Sequence, residues 1–475
     1  MSAAPIKSGL LDRSFTGFLT AAFLNAFIDN AFKIIISFVI LREAPGHEGT
    51  ALAAAAGIFT LPFLLFSSWA GTLADRYSKR DVFVVMQIFS VFAFGLGAYA
   101  LSTGHLALIF ASLFLAGMQA AFVSPAKYGL LAETQSQQQL SRANGITESV
   151  NFSAIVLGTA FGGFALAASR GEASLAVIAC GILAIAGVAA SFRVWSVSPS
   201  APTARINWIN PLGETFRELK AAMSEPRLGA PMVGLAFFWF LGAMTQMNVM
   251  LFAREELFAG LSADLVESRT GILLTCLALG IGTGSILAGR WSGPKVEIGL
   301  VPLGALGIAG FLCDLGFFAS SAPRAGADLF ALGLSGGLFV VPLQALLQSR
   351  APVHHRGAVL SASNFLIFSA ILAASGALPL FEAAGYSARG IFLLLSAATL
   401  LLALRLALWL GEFTIRFLMW LATHTIYDIT IRGRENFPER GPALLIANHV
   451  SFADAVLIGA CGQRMIRFVM DRAYF

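Results

Sequence analysis

Three groups of residues in this 475-residue chain have the types and spacing to do chemistry. Near the C-terminal end, His449 is followed five positions later by Asp454, which can bring both to one loop-to-helix corner. His449 can then take the proton of an alcohol while Asp454 orients the imidazole and stabilises its cation, so that the alcohol attacks an acyl thioester. On its own such a pair is a weak signal, because each residue serves equally well in a core or at a helix cap. Near the N-terminal end, Asn25, Asp29 and Lys33 recur at i, i+4 and i+8 and so share one helix face, with Asn30 beside them. Asp29 one turn before Lys33 is the favourable order for a helical ion pair. The third group is Gly71-Thr-Leu-Ala-Asp75-Arg76-Tyr-Ser-Lys79-Arg80. Gly71 permits close backbone approach, and Asp75 can sit at a neighbouring helix N-terminus or pair with an arginine. A charge latch of that kind can break when two bundles rock.

The elements that must position these groups are membrane helices. The chain is 57% hydrophobic and 12% charged, against about 25% charged in a soluble domain. Apolar runs long enough to cross a bilayer core of about 30 Å recur throughout. They predict helices at 14–41, 50–71, 82–103, 105–127, 145–168 and 173–194, then at 228–253, 268–290, 298–320, 326–348, 358–381 and 388–411. Between the two sets, 195–227 is a polar linker with four prolines, in which Gly213 to Met223 can form a short interfacial helix. The net charge of +5 is modest and scattered among loops, so nucleic acid is not an expected partner. The four cysteines are far apart and predict neither a disulfide framework nor a metal site. No cleavable signal peptide is visible, because the first apolar run is too long for one.

Lysine and arginine set the orientation. With the N-terminus in the cytosol, inner loops carry sixteen basic residues and outer loops six, and an even helix count returns the C-terminal part to the same side. A faint repeat supports two related halves. GTLADRYSKR after helix 2 is echoed by AGRWSGPK (Ala288 to Lys295) after helix 8, and RANGITESVNF (Arg142 to Phe152) at the start of helix 5 by RGAVLSASNF (Arg356 to Phe365) at the start of helix 11. These are the places where parallel repeats of a two-bundle transporter require them.

Ionisable and polar groups within membrane helices are costly and mark pathways. Helix 1 is the richest, with Asn25, Asp29, Asn30 and Lys33, and a zwitterionic or polar headgroup can exchange with the Asp29–Lys33 pair in a central cavity. Helix 4 ends in Ser124-Pro-Ala-Lys127-Tyr128-Gly129, and Glu148 lies near the inner end of helix 5. Arg254, followed by Glu255 and Glu256 at the outer end of helix 7, reads either as an outer gate or as a solvated loop. Gln344 and Gln348 on helix 10 read as helix-to-helix hydrogen bonds.

These motifs carry resemblances. The run from Gly71 to Arg80 closely matches the signature of the major facilitator superfamily between helices 2 and 3, with Ser78 where a glycine is usual. The resemblance implies an all-α membrane fold of two six-helix bundles over 1–411: a first bundle over 1–194, the cytosolic linker 195–227 and a second bundle over 228–411. After Gly411 the chain changes character, with an amphipathic lead-in and then a short apolar strand-like run, Ala443 to Ala447. The run from Gly433 to Asp454 resembles the glycerolipid acyltransferases, whose first motif is N-H-x-S-x-x-D, here Asn448, His449, Ser451 and Asp454. The expectation is an incomplete α/β acyltransferase segment over 412–475. No glycine-rich E-G-T-R-like motif follows Asp454, so acyltransferase activity is not expected of this chain by itself.

A major facilitator protein joined to such an acyltransferase resembles the bacterial lysophospholipid transporter family. That resemblance implies an inner-membrane flippase that moves lysophosphatidylethanolamine and similar lysolipids to the cytosolic leaflet for re-acylation. Both termini, and His449, are then cytosolic. Membrane lipids are expected partners, acyl carrier protein is one only with a complete acyltransferase domain, and no cofactor or metal is implied. The rival readings are a drug or metabolite exporter of the same fold and an acyltransferase with a membrane module. Helix 5 has Gly158, Gly162 and Gly163 without the proline of the exporter signature, and twelve helices exceed what an anchor needs.

Overall fold

The computed structural model describes residues 12–43, 48–169, 172–207, 210–261, 263–292, 296–427, 429, 432–433, 442–448, 451, 453–460 and 466–468. Twelve helices are long and apolar enough to cross a membrane. The first six are α1 (Arg13–Glu43), α2 (Glu48–Arg76), α3 (Lys79–Thr103), α4 (Leu106–Thr134), α5 (Gln137–Ala168) and α6 (Ala173–Ser191). The linker contributes α7 (Pro211–Ser224), started by Pro211 at its first position and capped by the Asn210 side chain, which accepts from the Gly213 N–H at 2.8 Å. The second six are α8 (Pro226–Phe252), α9 (Ala263–Trp291), α10 (Leu300–Phe317), α11 (Ala322–Arg350), α12 (Arg356–Ala383) and α13 (Ala388–Ile426), and α14 (Asp454–Ala460) lies beyond.

The predicted helices all form, most of them longer at one end or both than their apolar runs, because polar residues at the ends still complete helical turns. The largest difference is α13, which runs through residue 411 to Ile426. At 1.5 Å per residue a helix of that length spans about 58 Å, far more than a bilayer core. Its lower half is held by the second bundle. Phe417 is buried and rings with Trp291, and Arg416 makes a buried ion pair with Glu297. The run 443–447 forms no strand, and Leu444 and Ile446 are exposed. A strand exists only as part of a hydrogen-bonded ladder, and no second strand stands beside it among the described residues.

Each half has its own apolar core. In the first half Ile28, Phe32 and Ile35 of α1 pack with Phe94, Leu113 and Val177. In the second half Met232 and Met244 of α8 pack with Leu312, Val341 and Phe392. In the first half α1 lies backbone-to-backbone on α5. A Cβ at Gly158 would stand 2.2 Å from the Phe27 carbonyl oxygen, and one at Gly162 would stand 2.6 Å from that of Ala31. Those glycines therefore fix the stretch of α1 that carries Asp29.

Candidate functional site

The polar residues of the first half form two hydrogen-bonded groups, one joining α1 to α4 and one joining α4 to α5. Asn25 donates to the Asp29 carboxylate at 2.9 Å and accepts from the Gln119 amide of α4 at 2.7 Å. Further along α4, the Lys127 ammonium donates to Asn151 of α5 at 3.4 Å and lies 4.8 Å from the centre of the Tyr128 ring. Tyr128 donates to Glu148 at 2.8 Å. Asp29, Gln119, Glu148 and Asn151 are buried. Two carboxylates and an ammonium thus stand on three adjacent helices, each with a hydrogen-bonding partner, which is how buried charge is tolerated.

One expectation on α1 is corrected. Asp29 and Lys33 share a face, but no ion pair joins them. The carboxylate turns back to Asn25, and the Lys33 ammonium sits 4.8 Å from the centre of the Phe59 ring of α2. Asn30 bonds to its own helix, donating to the Ala26 carbonyl at 2.7 Å, so it stands apart from both groups. Gln119, Asn151 and Asn364 were not singled out from sequence. The repeat carried a signal for the last two, because Asn151-Phe152 and Asn364-Phe365 occupy matching places in its two halves. Asn364 reaches across to α4 and donates to Ser124 at 2.8 Å, next to Pro125.

Arg254 is not brought to either group. It is exposed on a π-helical turn, Ala253–Leu257, after α8. Its neighbour Glu256 pairs instead with Arg389 of α13, which also donates to the Ala319 carbonyl at 2.7 Å. That is a brace within the second half rather than a bond between halves.

The third group forms the joint between the halves. Asp75, at the end of α2, accepts from the Gly357 and Ala358 backbone N–H groups at 2.8 and 3.1 Å, at the start of α12. A carboxylate there meets unsatisfied amides and the positive end of the helix dipole. Gly71 and Gly357 let the helices touch. A Cβ at Gly71 would be 2.8 Å from the Gly357 carbonyl oxygen, and one at Gly357 would be 2.4 Å from that of Gly71. Lys79, only 1% exposed, is 3.3 Å from Asp75 and 2.8 Å from Glu133, and Glu133 is 3.7 Å from Arg356. Arg76 and Arg80 lie outside this knot. Arg76 donates to the Ala204 carbonyl at 3.3 Å and Arg80 pairs with Asp81 at 3.0 Å.

The linker completes the joint. Ser200 accepts from Lys79 at 2.6 Å and donates to Asp75 at 3.3 Å, and the Ser200 carbonyl lies 2.6 Å from His354 Nδ1. A further bond between the halves lies on α5 and α11, where Asn144 and Gln348 exchange two amide hydrogen bonds at 3.0 and 2.9 Å. On the pair of helices that matches α12 and α2, Gly145 of α5 packs on the Ser285 carbonyl and Gly289 of α9. The repeat is therefore real in space but unequal in charge, since Gly289 stands where the first half has Asp75. Among the described residues, every hydrogen bond and ion pair between the two bundles lies in the half nearest the linker.

The acyltransferase-like pair is seen only in part, because His449 lies outside the described residues. Asp454 begins α14 and accepts from the Ser451 N–H at 2.9 Å. The helix rests on α13, where Gly459 faces Met419.

The sequence pattern of the Major Facilitator Superfamily matches residues 18–377. The lysophospholipid transporter LplT of Yersinia pestis (strain Pestoides F) is 30% identical over 354 residues, covering 72% of this chain and 80% of that protein. The chain belongs to the lysophospholipid transporter family of that superfamily. A further family member, LplT of Photorhabdus laumondii, is 28% identical over 73% of this chain and 83% of its own length. An Acyltransferase pattern matches residues 428–475 of this transporter, directly after α13. Among solved structures, the human organic anion transporter MFSD10 superposes with a TM-score of 0.66 at 16% identity over 83% of this chain and 99% of its own. The E. coli fucose:proton symporter FucP superposes with 0.64 at 14% identity over 82% and 98%. At those identities the superpositions establish the fold alone.

Proposed function

We propose that this multi-pass membrane protein moves lysophospholipids, such as lysophosphatidylethanolamine, to the cytosolic leaflet by alternating access. The observation that carries the reading is the mixed-charge set of two hydrogen-bonded groups, Asp29–Asn25–Gln119 and Lys127–Asn151 with Tyr128–Glu148, inside a helical bundle. A zwitterionic headgroup offers an ammonium to Asp29 or Glu148 and a phosphate to Lys127 or Lys33, exchanging partners rather than entering an apolar site unpaired. The facing wall of α8 is aromatic, with Trp239 stacked at 6.1 Å on Phe152 and at 5.7 Å from Phe238, and suits an acyl tail.

The excess of basic residues in the linker-side loops supports a cytosolic placement of that end and of both termini, in a bacterial inner membrane. The Asp75 joint then closes the cytosolic side, and substrate enters from the outer leaflet. Release requires Asp75 to leave the α12 N-terminus and Asn144 to leave Gln348. Where the acyltransferase domain is complete, re-acylation of the lysolipid hydroxyl, with His449 and Asp454 taking its proton and the acyl thioester of acyl carrier protein releasing its thiol, removes product and pulls net flux inward. Uptake of labelled lysophosphatidylethanolamine into proteoliposomes tests the reading. Protein-dependent uptake, outcompeted by other lysolipids and not by diacyl lipid, is expected. Failure of a folded, inserted protein to take up any lysolipid refutes it in favour of an exporter.

A further inference from the structure

The linker helix α7 has one apolar face, and the protein covers only part of it. Thr215 and Ala222 are buried, and Leu219 packs into the core of the second half. Leu212, Phe216 and Met223 continue that face to its open edge as a stripe at helical spacing, and they are 38%, 57% and 40% exposed. An exposed stripe of that kind on a short helix needs an occupant, and the surroundings identify it. The Phe216 ring meets Phe365 edge-on at 5.3 Å. Phe365 lies nine residues into α12, about 14 Å along its axis from Arg356, inside the membrane-crossing stretch Val353–Ala383. Just before α7, the Asn207 carbonyl accepts from the indole N–H of Trp69 at 2.8 Å, and Trp69 lies within the crossing stretch of α2. The exposed stripe therefore lies beside the linker-side parts of two membrane-crossing helices.

Charge flanks the stripe on its outer edge. Lys220 is exposed and the Arg217 side chain is 75% exposed, whereas its partner Glu214 is tucked in at 14%. Arg227 and Arg350 continue the basic surface at the start of α8 and the end of α11. An amphipathic helix with apolar residues at acyl-chain depth and basic residues beside them binds the leaflet surface through both terms.

We infer that α7 is a docking helix for anionic phospholipid in the leaflet at the linker end, with Leu212, Phe216 and Met223 in the acyl layer and Arg217 and Lys220 on the headgroups. This inference is independent of what the transporter carries. Two forces set the occupancy. Burial of the stripe holds α7 at the interface in any bilayer, and the basic pair adds a preference of about fivefold for each charge.

The test is Phe216→Trp in full-length protein reconstituted with lipids brominated on their acyl chains, read as the quenching of the added tryptophan over the parent protein. Leu212→Trp is a second reporter in case the first does not fold. Quenching by brominated phosphatidylglycerol is expected to exceed quenching by brominated phosphatidylcholine when either is a minor component of the same bilayer. Adding Arg217→Gln and Lys220→Gln is expected to erase that difference while quenching persists. No quenching of either reporter by either lipid would mean that water or a protein covers the stripe. Equal quenching by both lipids in the unmodified charge background would mean a helix in the membrane with no headgroup preference. Either result overturns the inference.

Discussion

Asp75 and Gly357 lie 282 positions apart in sequence and are joined by a 2.8 Å hydrogen bond from backbone amide to carboxylate. The bond sits where the two halves of the molecule meet. Gly357 has no side chain to hold the carboxylate off, and a Cβ there would come within 2.9 Å of the Asp75 carboxyl carbon. The joint is therefore specified from both sides, by an acid on α2 and by a bare backbone on α12.

Asp75→Asn should loosen this end. The amide keeps the shape and one neutral acceptor but loses the charge assistance, about 1.5–3 kcal/mol in all, so the ratio of closed to open protein should fall roughly tenfold to a hundredfold. Gly357→Ala should act in the same direction by sterics alone. Spin labels on the linker-side ends of α2 and α12 would report both. Unchanged distance distributions in both variants would show that the joint does not set the conformation.

The Asn144–Gln348 pair offers a cleaner energetic test. Asn144→Leu or Gln348→Leu alone strands one buried amide, at about 1–3 kcal/mol, whereas replacing both partners is nearly neutral. Thermal unfolding should show each single variant less stable than the double. Additive losses would mean that the two amides act separately.

Glu218, on the inward side of α7, has a buried carboxylate oxygen with no hydrogen-bond partner. Burial pushes its carboxyl up to about 7. The nearby charges of Glu214 and Asp75 add to the rise and Arg217 opposes it. A raised pKa means that the packed helix prefers the protonated form. Packing is then fully favoured below the ordinary value of 4.5 and weakens as pH rises through about 7. Hydrogen exchange over α7 should accelerate between about pH 4.5 and about pH 7, beyond the intrinsic change, and level off above that, and Glu218→Gln should remove the difference. A parent protein with no such difference would contradict this.

Arg416 and Glu297 fasten the long lower half of α13 to the second bundle. Replacing Arg416 by Met leaves a buried carboxylate without this partner, at about 3–5 kcal/mol, and replacing Glu297 as well should recover most of that loss. Protease resistance after residue 411 is the readout. Equal resistance in all three proteins would show that the pair does not hold the helix.

The sequence carries the architecture well because the signal for a membrane helix is length of apolar run, which is local. It carries α13 poorly. From Glu412 the helix turns amphipathic, and its Arg416 and Phe417 are explained by Glu297 and Trp291, more than a hundred residues away. Spacing placed Asn25, Asp29 and Lys33 on one face correctly. It could not decide between partners on that face, and Asn25 and Phe59 won. The superfamily motif was readable from Gly71 to Arg80, yet its counterpart at Gly357 and Ala358 is backbone and leaves no residue signature beyond the glycine. Gln119 was overlooked because one amide within an apolar run looks like any helix contact until Asn25 stands opposite.

The central claim, that the polar groups of the first half hold a lysolipid headgroup, is tested most directly by initial rates of lysophosphatidylethanolamine uptake into proteoliposomes. The parent should be compared with Asp29→Asn and Lys127→Ala, each shown to be folded and inserted. Loss of a charge-assisted contact worth about 1.5–3 kcal/mol predicts uptake reduced roughly tenfold or more in each variant. Parent-like rates in both would contradict the account.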